Sequence, residues 1–213
     1  MFSEICDRGF ATCRRVLPKS VVTMARRRLH SEAPTDASVV YMALDPKDEL
    51  IAFCVERIFP LAELAFGDRT QLLRAQLTET PPGPIKPERS WHRDLPVESL
   101  SPLTITAIFY LDAVSDVGNT FVLPAGSLSP ALLDLRDDRE IAIDAHSGDC
   151  LLLNGSVWHS GSAPSAGTRR RALILQFGYW WIKQHSDQHE TGSINEVIYG
   201  RKAPPGDLFI TDR

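Results

Sequence analysis

The sequence predicts a mainly β protein, an antiparallel barrel or sandwich supported by helices near its N-terminus. Three observations carry that expectation. Short strand-like runs follow one another from about residue 71 onward, turn-forming residues separate them, and no helical period falls between them. The stripes of helical period lie in the first third. With 213 residues, 43% of them apolar and 23% charged, the chain has an ordinary globular composition. Such a length buries roughly 70% of the surface an unfolded chain exposes, so no disulfide or metal staple is needed. We expect one domain over residues 1–213, with helical support over about 1–70, a β core over about 71–182 and a tail over 183–213. Disordered, collagen-like and coiled-coil classes are excluded.

Each element has its own signal. Pro18 opens a segment in which Val21, Val22, Ala25 and Leu29 recur at helical spacing. Asp45-Pro46 opens a second, with Asp48 and Glu49 in the first turn and Leu50, Ile51, Cys54, Val55 and Ile58 as its stripe. The strand-like runs are Gln71–Thr78, Leu103–Leu111, Thr120–Leu123, Glu140–Asp144, Cys150–Leu153, Val157–Ser160 and Arg169–Tyr179. Between them stand Pro81-Pro82-Gly83-Pro84, Asp116-Val117-Gly118-Asn119, Ser147-Gly148-Asp149 and Asn154-Gly155. Asn154-Gly155 is the strongest hairpin signal of these.

Charge and cysteine usage narrow the partners. The net charge is −4, but residues 1–30 carry seven basic side chains against Glu4 and Asp7. No aromatic residues interleave Arg26, Arg27 and Arg28, as a nucleic-acid stacking platform requires, so a solvated helix face is expected there. No nucleic-acid partner is expected. No run approaches the ~18 consecutive apolar residues of a membrane span, and no signal-peptide core follows the basic residues. Cys6, Cys13, Cys54 and Cys150 form no paired metal-ligand spacing and read as reduced thiols, which points to a cytoplasmic setting.

The chain lacks GxSxG, HExxH, P-loop and Rossmann motifs. It does carry Trp91-His92-Arg93-Asp94. Side chains alternate in extended chain, so His92 and Asp94 share a face and can grip adjacent positions on one metal ion. H-x-D alone is a pattern that chance supplies often. A second histidine, His159, stands 65 residues beyond Asp94 in another predicted strand. Two imidazoles and a carboxylate on one face of a metal leave three positions open, the arrangement suited to Fe(II) and oxygen chemistry. Trp91 and Trp158 should face away from such a site. Arg169-Arg170-Arg171 opens the last strand, and a guanidinium there could seat a carboxylate in bidentate fashion or simply be solvated.

In combination, Trp-His92-Arg-Asp94, Gly118-Asn-Thr120-Phe-Val-Leu-Pro124, Gly148-Asp149, His159 and Arg170 resemble the phytanoyl-CoA dioxygenase-like family of Fe(II)/2-oxoglutarate oxygenases across roughly residues 70–180. A fainter likeness covers Arg8-Gly9-Phe10 through the first helix. The resemblance implies a double-stranded β-helix, or jelly-roll (cupin-like), core with supporting N-terminal α-helices. It implies His92, Asp94 and His159 as iron ligands, and Arg170, eleven residues past His159, as the seat of the distal carboxylate of 2-oxoglutarate. Thr120 falls where a family hydroxyl meets the co-substrate, and equally suits an ordinary strand. Gln76 shares a face with Arg74 and Thr78 and is expected to reach the cavity.

Two departures are visible. The chain reads Pro124-Ala125-Gly126-Ser127-Leu128 where the family commonly has Pro-Gly-Ser-His. Gly161 stands where the family usually has a serine, which removes one co-substrate contact. Related halogenases carry a small residue at the position of Asp94, so its carboxylate disfavours halogenation. The implied activity is oxidation of a small metabolite or natural-product intermediate by hydroxylation, desaturation or cyclisation, with Fe(II), 2-oxoglutarate and O2. A metal-dependent isomerase or hydrolase, and a non-catalytic binding module, are the competing readings of the same fold. His185 and His189 read as part of a solvated tail.

Overall fold

The helices begin where the side chains can cap or bury them. In the computed structural model, which describes residues 1–32, 40–45, 47–81, 90–115, 119–125, 140–162, 164, 169–182 and 193–199, α1 spans Phe2–Arg8, α2 spans Lys19–Glu32 and α3 spans Glu49–Phe66. Asp48 is the N-cap of α3: its carboxylate accepts from the backbone N–H of Leu50 at 2.9 Å. The second helix therefore starts after Asp48 rather than at Asp45-Pro46. It buries Leu50, Ile51, Cys54, Val55 and Ile58, as the apolar stripe requires. The short α1 is too brief for periodicity to reveal.

Ten strands are described: β1 (Phe10–Cys13), β2 (Val40–Ala43), β3 (Arg69–Thr80), β4 (Thr104–Tyr110), β5 (Thr120–Val122), β6 (Ile141–Ile143), β7 (Cys150–Asn154), β8 (His159–Gly161), β9 (Arg170–Tyr179) and β10 (Ser193–Tyr199). The major sheet has the order β1-β7-β4-β9-β3-β10, with β2 also paired to β3, and the minor sheet has the order β6-β5-β8. All the pairings are antiparallel. The fold is a jelly roll with helices against one sheet. Seven of these strands match the runs read from the sequence; β1, β2 and β10 lie in segments expected to be helical support or tail.

Asn154-Gly155 does not make the expected hairpin. β7 pairs with β1 and β4, whereas β8 pairs with β5 in the other sheet. The dipeptide instead forms a tight turn, Val157 N–H to Asn154 C=O at 3.0 Å, that transfers the chain between sheets. The Asn154 side-chain oxygen accepts from the Ser156 N–H at 3.0 Å and helps close the turn.

The two faces of the major sheet have different fates. One face, with Ala75, Leu77, Ile105, Ala107, Phe109, Cys150, Leu152, Leu173, Leu175 and Phe177, packs with the buried stripes of α2 and α3 in one apolar cluster. The other face meets the minor sheet. There Phe10, Tyr110, Leu151 and Leu153 bury Val122 and Ile143, while the β3–β9 side of that face stays polar and open. A β-bulge at Leu73 sets this division, since Leu72 pairs with Phe177 but Arg74 pairs with Gln176. Leu72 therefore shares the helix-facing side with Ala75 and Leu77, and Arg74, Gln76, Thr78 and Thr80 turn inward.

Gly148-Asp149 ties the N-terminal segment to the core. Gly148 has φ 93°, and a Cβ there would stand 2.6 Å from the Leu17 carbonyl oxygen, so the close approach requires glycine. The buried Asp149 carboxylate accepts from the Arg14 guanidinium at 2.6 Å and from the N–H groups of Arg15 and His146 at 2.8 Å each. The basic N-terminus is more engaged than a solvated face. Arg26 reaches Asp112 at 2.9 Å and Arg28 pairs with Asp48, leaving Arg27 exposed. The four cysteines are free thiols, with Cys54 and Cys150 buried and Cys6 and Cys13 partly so. His185 and His189 lie outside the described residues.

Burial pushes the Asp149 carboxyl up, but its hydrogen bonds outweigh that and hold it below the ordinary value of 3.8. A depressed carboxyl stabilises the fold above its unfolded pKa, and the effect is lost as pH falls through the folded value. Asp149→Asn should cost about 1.5–3 kcal/mol of stability at pH 7, the worth of hydrogen bonds to a charged group. Urea melts from pH 7 to pH 2.5 check this: the variant's stability should fall less steeply below pH 4 than the parent's.

Candidate metal centre

The residues around His92 are not in a regular strand, yet they are pinned to one. His92 and His159 exchange both backbone hydrogen bonds, at 3.0 and 2.9 Å, in an isolated antiparallel bridge on the edge of β8. Three residues later, the Leu95 N–H donates to the Gly155 carbonyl at 2.8 Å. This places the two imidazoles with ring centroids 4.3 Å apart and brings the Asp94 Oδ1 to 3.6 Å from His159 Nε2. One donor atom from each of His92, Asp94 and His159 falls within 4.8 Å of the others, so the structure brings together the three residues singled out in the sequence.

The donor set is oriented to receive a cation. Each Nδ1 lies 3.1 Å from a backbone carbonyl, Ser90 for His92 and Val157 for His159. A carbonyl only accepts, so each Nδ1 carries the proton and each Nε2 keeps its lone pair for a metal. Burial lowers the His92 pKa below its ordinary 6.5, and the neighbouring His159 lowers it further, which favours the neutral, ligating form. Burial pushes the Asp94 carboxyl up, but His159, the Thr106 hydroxyl, His92 and Arg74 together hold it below its ordinary value. The carboxylate is therefore ionised and ready to bind.

The triad opens onto a cavity of about 440 Å³. Its floor is a grid fixed by strand register. Arg74, Gln176 and Thr106 form one row, Gln76, Ile174 and Ile108 the next, and Thr78, Ala172 and Tyr110 a third; Thr80 and Arg170 close the far end. Thr120, His159 and Gly161 line it from the minor sheet. Gln76 and Thr120, both named from the sequence, thus reach the cavity. Thr120 accepts from the Tyr110 hydroxyl at 2.8 Å, and burial pushes that phenol up to about 12. Trp91 and Trp158 do not line the cavity; the Arg93 guanidinium stacks over Trp158 at 4.5 Å.

The arginine trio separates by alternation. Arg171 forms a bidentate pair with Asp112, at 2.8 Å to each oxygen, and Arg169 pairs with Glu79. Arg170 turns into the cavity, where Thr80 Oγ1 lies 3.2 Å from one of its nitrogens. Burial lowers the Arg170 pKa, an effect partly opposed by Tyr110 and Tyr41, so a bound anion there would be stabilising. The guanidinium lies against Gly161: a Cβ at that position would stand 2.5 Å from its Nη1. Glycine at 161 leaves room for this arginine position, and the serine usual in the resembling family would crowd it. Thr106, Tyr110 and Gln176 were missed in the sequence, although they stand at even spacing along Leu103–Leu111 and from Arg170; Arg74 was read only as sharing a face with Gln76 and Thr78.

No family model matches the chain. Solved structures share its fold. HygX from Streptomyces hygroscopicus, with nickel and 2-oxoglutarate bound, aligns with a TM-score of 0.68 at 14% identity over 90% of this chain and 93% of that one. HygX with nickel, 2-oxoglutarate and hygromycin B bound aligns equally, covering 94% of that chain. The non-heme alpha ketoglutarate dependent epimerase SnoN from nogalamycin biosynthesis aligns with a TM-score of 0.67 at 17% identity, over 98% of this chain and 95% of that one.

The donor set should take up one Co(II) or Ni(II) per chain, measurable by calorimetry. Asp94→Ala should weaken that uptake by more than the ~10–100-fold that loss of an outer partner costs.

Proposed function

We propose that the chain is a non-haem Fe(II)/2-oxoglutarate-dependent dioxygenase that oxidises a small organic metabolite. The observation that carries this reading is Arg170 facing the cavity opposite the His92–Asp94–His159 triad. The guanidinium lies over Gly161, two residues beyond His159 on β8, or ~6–7 Å by strand rise. That interval suits a five-carbon dicarboxylate held at the metal by one end and by arginine at the other. A cupin-like isomerase or hydrolase, or a binding module, has no need of this arginine. The likeness to HygX with nickel and 2-oxoglutarate bound and to the SnoN epimerase supports the same class, and the hygromycin B of the HygX complex supports a small-molecule substrate. We read residues 1–213 as one domain, and the four free thiols suit the reducing cytoplasm. No helix among the described residues is long and apolar enough to cross a membrane.

The roles of the chain's own groups follow from the geometry. His92, Asp94 and His159 would hold Fe(II) through the two Nε2 lone pairs and the carboxylate. Fe(II), when bound, supplies oxygen activation: one atom of O2 enters the succinate formed as 2-oxoglutarate loses CO2, and the other oxidises the substrate. Arg170 pairs with the distal carboxylate, and Thr120, Thr80 and Gln76 offer hydrogen bonds along its length. Ile108, Ala172 and Ile174 wall the cavity against water. Tyr110 stays protonated and keeps Thr120 aligned. Hydroxylation is the simplest outcome at a substrate C–H bond, with desaturation, cyclisation or stereochemical inversion set by what the substrate presents.

The decisive assay is succinate release with Fe(II), ascorbate and 2-oxoglutarate across a metabolite panel. His92→Ala should abolish it, whereas no succinate from the parent with any substrate, together with no 2-oxoglutarate binding, would remove the reading. Arg170→Leu should raise the KM for 2-oxoglutarate roughly 10–100-fold, as expected from losing about 1.5–3 kcal/mol of charge-assisted hydrogen bonding. Gly161→Val should reproduce that effect without touching the metal ligands. Because the His92 pKa is lowered from 6.5, proton competition begins only below that value. Metal content after dialysis should therefore hold at pH 6.5 and fall toward pH 5, and retention unchanged at pH 5 would argue against imidazole ligation.

A further inference from the structure

Asp94 stands on an irregular segment, and its two carboxylate oxygens are used differently. Oδ1 is the oxygen nearer the imidazoles, 3.6 Å from His159 Nε2. Oδ2 accepts from the Thr106 hydroxyl at 2.5 Å. Thr106 is buried on β4, between β7 and β9 in the interior of the major sheet, and is directly opposite Gln176 of β9. The Gln176 side-chain amide lies 3.2 Å from Thr106 Oγ1 and is itself buried.

A proton count settles the direction of this chain of contacts. A threonine hydroxyl has one proton to give, and an ionised carboxylate can only accept. Thr106 therefore spends its proton on Asp94, and Gln176 must present its NH2 rather than its carbonyl to the threonine oxygen. The order is fixed: Gln176 donates to Thr106, and Thr106 donates to Asp94. Each hydrogen bond polarises the next. Gln176 also follows Arg170 at even spacing on β9, so one strand supplies both the far anion seat and this support beneath the carboxylate.

We propose that Thr106 and Gln176 are positioning residues that hold the Asp94 carboxylate with Oδ1 toward the metal, lending an irregular segment the rigidity of the central sheet. The proposal rests on the metal-centre reading above. Outer partners of this kind orient a ligand before the ion arrives and so spare the ordering that binding would otherwise require.

Calorimetry with Co(II) on the otherwise intact protein, together with the visible absorption spectrum of the Co(II) form, tests it without any turnover. Thr106→Val keeps the shape and removes the hydroxyl; it should weaken Co(II) binding ~10–100-fold and change the visible bands. Thr106→Ser restores the donor without the methyl group and should recover most of the affinity and the parent spectrum. Gln176→Leu, which removes the donor behind Thr106, should weaken binding less and shift the bands in the same direction. Circular dichroism confirms that each variant is folded. Parent-like affinity and spectrum in Thr106→Val would overturn the proposal, as would Thr106→Ser binding as weakly as Thr106→Val. A parent protein that takes up no Co(II) would instead overturn the metal centre itself, and the relay with it.

Discussion

Two backbone hydrogen bonds between His92 and His159 hold the centre of this molecule together. They attach an otherwise irregular segment to the free edge of β8, and they do so at the two residues whose side chains must converge. Residues that exchange both hydrogen bonds across an antiparallel pair project their side chains to the same face. Pairing at that point thus delivers both imidazoles to the cavity, and Asp94 follows two residues later on the same face. A shift of one residue in this bridge would turn His92 and Asp94 outward, away from His159, which β5 holds in place. Carbonyls of Ser90 and Val157 then fix the tautomers, so backbone geometry determines both where the nitrogens are and which of them has a lone pair.

The major sheet has to satisfy two demands at once, and the bulge at Leu73 reconciles them. Its helix-facing side is an apolar surface that α2 and α3 bury. Its other side must be apolar beneath the minor sheet yet polar beneath the cavity. On β3 a strict alternation would continue the phase of Leu72, placing Arg74 and Gln76 against the helices. The extra residue reverses the phase and turns four polar side chains inward. On β9 alternation alone suffices, with Arg170 inside while Arg169 and Arg171 find Glu79 and Asp112 outside.

Glycine performs opposite services at two places in this architecture. At Gly148 a left-handed backbone and the closeness of Leu17 let the turn before β7 meet the segment between β1 and α2, and Asp149 fastens that meeting. At Gly161 the missing Cβ leaves a space that the Arg170 guanidinium fills. A serine at 161 would offer a hydroxyl but crowd this arginine. The departure from the resembling family's pattern is thereby linked to how the cation is seated.

Sequence pattern alone determined the strand-rich core, two long helices and the shared face of His92 and Asp94, because alternation and helical spacing are properties of a few neighbouring residues. His159 as their partner and Arg170 as the inward arginine came from the order of motifs along the chain that carries the family resemblance, not from local periodicity. Three features were decided only by tertiary structure. Asn154-Gly155 carries a hairpin signal yet links two sheets, because β8 finds β5 rather than β7 as its partner. β1, β2 and β10 are short or weakly patterned and become strands by pairing with β7 and β3. Arg74, Thr106 and Gln176 come from three separate strands and form one row only through the register of β3, β9 and β4. Register between distant strands is a property of the whole sheet, and no local stretch of sequence contains it.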